Sequence, residues 1–128
     1  MSLTRDDILK ADDLKKETVH VPEWGGDVII STMTGAGRDL FELEVYGEDG
    51  KQFKTTNLRA KLIAATAQDE DGNLLFNEED VDALGRKSGA ALNRCFSVAM
   101  RLNGMGKKDI EKLEKNLSKG QPADSISN

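Results

Sequence analysis

Few side chains in this sequence have reactive chemistry: the chain holds one cysteine, Cys95, and one histidine, His20. A covalent catalyst needs a nucleophile, a base beside it and a third group to orient the base. Cys95 lies in an apolar stretch with Leu92, Phe96 and Ala99 at helical spacing. Burial there favours the neutral thiol, so the expected state is a reduced, unreactive core cysteine. His20 lies in a β-prone run beside Pro22 and reads as a surface or edge residue. One cysteine excludes an internal disulfide, and one Cys with one His makes no zinc site without carboxylate help. The pair Gly35-x-Gly37 lacks both the third glycine and the Lys-Ser/Thr that would grip phosphate and metal, and reads as a strand-to-helix turn. No catalytic residue and no cofactor is assigned, and the expected class is not an enzyme.

The carboxylates offer the best chemical candidate. Residues 69–82 carry seven acids and no base. Within them, Asp69, Asp71 and Asn73 fall at the first three ligand positions of a calcium-binding EF-hand loop, Phe76 where an apolar residue is usual, and Asn77 at the ninth. Two departures weaken the match: Leu74 replaces the glycine of the sharp turn, and Asp80 replaces the bidentate glutamate. A β-hairpin followed by an acid-capped helix explains the same residues without a metal, so no metal ligand is assigned. The loop at 69–80 remains the basis of an alternative reading, a small calcium-binding regulatory module.

The charge pattern limits the partners. Net charge is −5, against general affinity for nucleic acid or anionic membranes. The basic cluster Lys51, Lys54, Arg59 and Lys61 has only Phe53 as an aromatic neighbour, too little for stacking on nucleic acid. No apolar run approaches the roughly 20 residues of a membrane span. The N-terminus lacks the basic-then-apolar order of a secretory signal, and the expected location is cytosolic.

The positions of these residues depend on the elements around them. The 128 residues suit one domain, and 38% hydrophobic content suits one core. Thr4 caps a short first helix, with Asp6 and Asp7 in its first turn and Ile8, Leu9 and Leu14 as weak anchors. Residues 17–22 and 27–32 flank Gly25-Gly26 and read as an antiparallel hairpin, with Val19, Val21, Val28 and Ile30 on one buried face and Trp24 over its end. Thr34 starts a helix through Leu40, Phe41, Leu43 and Val45 that ends at Gly47. Residues 59–68 are ambiguous. The Asp71-Gly72 turn and Leu74-Leu75-Phe76 favour a second hairpin, so a strand is expected there. Three C-terminal helices follow: one capped by Asn77 and stopped near Gly85, one from Ser88 or Gly89 to Asn103-Gly104, and one from about Lys107 to Leu117. The expected fold is α+β, a small antiparallel sheet of short hairpins with several helices. It forms a single domain over 1–117, with a disordered tail at 118–128.

Three groups of residues carry a family resemblance. The first is Ile8-Leu9-Lys10-Ala11-Asp12-Asp13-Leu14 leading into Val19-His20-Val21-Pro22-Glu23-Trp24-Gly25-Gly26. The second is Thr34-Gly35-Ala36-Gly37-Arg38-Asp39 with Phe41-Glu42. The third comprises Ala60 through Phe76, Ala91-Leu92-Asn93-Arg94 and Arg101-Leu102-Asn103-Gly104. Together they resemble the tail assembly chaperones of phages with long non-contractile tails, most specifically through Val21 to Gly26. The resemblance implies a non-catalytic protein of the host bacterial cytoplasm that is absent from the mature virion. Its implied partners are the tape measure protein, which it keeps soluble, and tail tube subunits, for which the resemblance implies a frameshifted longer form; neither nucleic acid nor membrane is among them. A chaperone for an apolar helical client needs exposed apolar surface. The candidate partner-binding residues are Met105, Ile110, Leu113 and Leu117, which also suit self-association.

Overall fold

The computed structural model describes residues 1–47 and 56–105. Helix α1 (Arg5–Lys10) opens the chain under a capping box: the Asp7 N–H donates to Thr4 Oγ1, and the Thr4 N–H donates to Asp7 Oδ2. Strands β1 (Lys16–Val21) and β2 (Gly26–Ser31) pair antiparallel, with Val19 opposite Val28 and Glu17 opposite Ile30. Their period-2 alternation places Val19, Val21 and Ile30 in the core, with Val28 half-buried beside them. The connection Pro22–Trp24 is one turn of 3-10 helix closed by Gly25, whose φ of 73° suits glycine.

Helix α2 (Gly35–Tyr46) starts at Thr34, whose Oγ1 accepts the Gly37 N–H, and ends at Gly47. Phe41 and Val45, one turn apart, face the core. Helix α3 (Leu58–Thr66) then runs through the middle of the molecule, burying Ala60, Leu62, Ile63 and Thr66. This corrects the strand expected over 59–68. Alanine and leucine are strong helix formers, and a segment apolar on several sides has no clear period to separate helix from strand. What survives of the second hairpin is small. Strand β3 (Ala67–Gln68) pairs with β2 at two positions, and one isolated bridge joins Gln68 to Leu74.

Beyond that turn, Asn77 caps a 3-10 turn, Glu78–Asp80, which passes into helix α4 (Val81–Gly85). Helix α5 (Gly89–Leu102), capped by Ser88, buries Ala91, Leu92, Cys95, Phe96 and Ala99 against α3 and the hairpin. The fold is therefore α+β: a three-stranded antiparallel sheet in the order β1-β2-β3 with five helices among the described residues. The helix expected from Lys107 to Leu117 and the tail at 118–128 lie outside those residues. Among the described residues, no helix is long and apolar enough to cross a membrane.

Two ion pairs tie α5 across the hairpin. Arg94 reaches Glu23 at 2.9 Å, and Arg101 reaches Glu17 at 2.7 Å. The arginines are seven residues apart, two helical turns, so both lie on one face. Asn103 then joins three segments: its Oδ1 accepts the Met33 N–H at 2.7 Å, and its Nδ2 donates to the carbonyls of Ala99 and Ser31. Arg38 of α2 donates to the Asn103 carbonyl, fixing the end of α5 against the start of α2.

Candidate functional site

The reactive side chains are kept apart from one another. Cys95 is fully buried, and desolvation pushes its thiol up to about 11. His20 is exposed on β1, where its Nδ1 lies 2.8 Å from Asp27 Oδ1 across the strand pair.

In the EF-hand-like loop, a turn claims the first carboxylate. The Asp71 and Asn73 N–H groups both donate to Asp69 Oδ1, at 2.8 and 2.9 Å. Backbone hydrogen bonds, that of Asn73 first, hold the Asp69 carboxyl below its ordinary range. Gly72 takes a φ of 89°, which closes the turn. A helix, α3, does end just before this loop, but among the described residues no group of three or more His, Cys, Asp or Glu converges as a metal would need. The basic cluster is also divided. Arg59 lies 5.4 Å over the Phe96 ring, Lys61 stands beside the groove described next, and Lys51 and Lys54 lie outside the described residues.

The sequence-predicted partner residues separate as well. Met105 is only 8% exposed and packs in the core, its N–H bonded to the Met100 carbonyl. Ile110, Leu113 and Leu117 lie outside the described residues. Ile8, Leu9 and Leu14, expected to anchor α1, are all exposed, and α1 buries no residue.

The apolar concavity instead lies between α2, α3 and the stretch from Leu74 to Val81. This open groove of about 290 Å³ is lined by Leu40 and Phe41 of α2, Ala64 and Ala65 of α3, and Leu74, Phe76 and Val81. Leu40 is 59% exposed and Leu74 is 55% exposed, so solvent reaches this apolar wall directly. Glu44, Glu78 and Lys61 mark its rim. Desolvation raises the Glu44 carboxyl above its ordinary range; the Glu78 charge adds to the rise and the Lys61 charge opposes it. Sequence reading missed this surface, although a signal was present. Gly37, Leu40, Phe41 and Glu44 recur at i, i+3, i+4 and i+7, and Leu40 and Leu43 are more apolar residues than the Phe41–Val45 core face needs.

Taken together, the described residues form a small α+β domain with an open apolar groove, acid-rich at its rim. The phage tail assembly chaperone family model matches residues 5–116, and the chain belongs to that family. The match implies a non-enzymatic role in phage tail assembly. Among solved structures, the bacteriophage HK97 tail assembly chaperone has a similar fold, with a TM-score of 0.53 at 20% identity. The alignment covers 76% of this chain and 90% of that one. No curated protein sequence matches the chain.

Proposed function

We propose that this chain binds the tape measure protein in the host bacterial cytoplasm, keeps it soluble, and helps recruit tail tube subunits before leaving the assembling tail. The observation that carries this reading is the groove between α2 and α3, a concave apolar surface whose wall exposes Leu40 and Leu74. Exposed apolar surface of this kind marks a binding site, and a groove suits the apolar face of a client helix. The proposal also takes Ile110, Leu113 and Leu117, spaced at i, i+3 and i+7 in the sequence, as client-contacting residues. Met105 takes no direct part, because it is buried.

Co-expression with a tape measure protein, followed by a solubility assay and pull-down, tests the reading. The wild-type chain is expected to raise the soluble client fraction and to co-purify with it. Leu40→Asp with Leu74→Asp changes exposed positions, so it should leave folding intact while abolishing solubilisation. Ile110→Asp with Leu113→Asp should weaken it. Insoluble, unbound client beside folded wild-type chain would overturn the proposal.

A further inference from the structure

Among the described residues, the large hydrophobic side chains left exposed fall in two places. One is the N-terminal stretch up to Leu14; the other is the groove region, with Leu40 and Leu43 on α2 and Leu74 and Leu75 on the stretch opposite. The segments that carry this second group are also acidic. Residues 35–46 hold three acids against Arg38, and residues 69–82 hold seven acids and no base. Arg38 is already engaged, by the Asn103 carbonyl at 2.9 Å and by Glu42 at 3.5 Å. We propose that the groove takes a client helix of one charge type: a basic amphipathic helix whose lysines or arginines flank its apolar stripe and face Glu44 and Glu78. This rests on the reading of the groove as the client site and deepens it by naming the chemistry of the segment bound.

Glu44 and Glu78 come from opposite walls, α2 and the stretch after Leu74, and both line the groove. They lie close enough for the Glu78 charge to raise the Glu44 carboxyl, in addition to the desolvation that raises it most. Lys61, the base in the lining, opposes that rise, yet among the described residues neither carboxylate has an ion-pair partner. An ammonium or guanidinium group set beside them offsets both the repulsion and the lost hydration. A client carboxylate in that place adds a third like charge. A wholly apolar helix fills the groove and leaves the pair unrelieved. The lining therefore separates helices that share one apolar stripe but differ in the charges beside it.

The groove also sets the length of the segment. Along α2 the lining runs from Gly37 to Glu44, seven residues apart or about 10 Å of helix. Two turns of client helix span that distance, with apolar residues at i, i+3, i+4 and i+7. Glu44 stands at one end of the row, so the matching base belongs at one end of the client's stripe. There a lysine or arginine stem covers apolar wall while its charged head reaches the rim.

The test uses the full chain and three labelled helical peptides with the same leucine stripe, flanked by lysine, glutamine or glutamate. Fluorescence anisotropy should rank the lysine peptide tightest, the glutamine peptide about three- to tenfold weaker, and the glutamate peptide weaker still. Affinity for the lysine peptide should fall as salt is added. Glu44→Gln with Glu78→Gln should bring the lysine peptide down to the glutamine peptide's affinity. Asp12→Asn with Asp13→Asn makes the same change in net charge at exposed positions outside the groove, and should leave the ranking intact. Leu40→Ser with Leu74→Ser should weaken all three peptides, which places binding in the groove. Equal affinity for the three peptides, equal losses in the two charge variants, or no binding at all would overturn the proposal. None of these measurements contains a tape measure protein, so their failure would leave the chaperone reading standing. The expected ranking in a chain that never solubilises tape measure protein would instead remove that reading alone.

Discussion

Single polar residues hold the seams of this fold, and Asn103 is the clearest case. Its side chain satisfies the Met33 N–H and the Ala99 carbonyl while its backbone carbonyl receives Arg38. Asn103→Ala strands a part-buried amide, a loss of about 1–3 kcal/mol. Urea denaturation should show this as a lower midpoint with an unchanged slope. Asp69 has a different dependence. Its carboxyl lies below the ordinary value of 3.8 in the folded chain, so its contribution is present above pH 3.8 and is lost as pH falls through the lower folded value. Asp69→Ala should therefore lower the melting temperature at pH 7, and the gap to wild type should close as the pH is taken well below 3.8.

Elements differ in how much tertiary packing supports them. Helix α1 has a complete capping box and buries nothing, so its stability is local. Thr4→Ala removes about 1 kcal/mol of capping; the amides of Asp7 and Ile8 should exchange faster while the global melting temperature stays put. Helix α3 is the opposite case. Leu62 is fully buried, and Leu62→Ala should cost about 2–5 kcal/mol by chemical denaturation. The same contrast explains what could be read from the sequence. Elements with polar punctuation were legible: Thr4, Thr34, Asn77 and Ser88 cap where their types predict, and Gly25 turns the hairpin. Helix α3 was not legible as a helix, because burial on several sides erases the periodicity that distinguishes helix from strand. The groove was hidden for a related reason. It forms only when α2, α3 and the stretch after Leu74 come together, and no single window of sequence holds more than one wall.

At the scale of the whole molecule, one question is whether the hairpin and the helices are a single cooperative unit. The core draws Val21 and Ile30 from the sheet, Phe41 and Val45 from α2, Leu62 and Ile63 from α3, and Cys95 and Ala99 from α5 into one cluster. Ser31 Oγ donates to the Thr66 carbonyl inside that cluster, so even its buried polar groups bridge elements. Arg94–Glu23 and Arg101–Glu17 add exposed ties, each of small effect alone, between α5 and the two ends of the hairpin. Among the described strands and α-helices, none except α1 can leave without opening the shared core, which predicts all-or-none unfolding. The sole tryptophan, Trp24, reports from the hairpin turn, whereas far-UV circular dichroism reports chiefly the helices. In a urea titration the two signals should therefore give the same midpoint, with a slope of about 1–3 kcal/mol per molar. If fluorescence instead changed at lower urea than the helical signal, the hairpin would be a separate lobe and the shared core would not control stability.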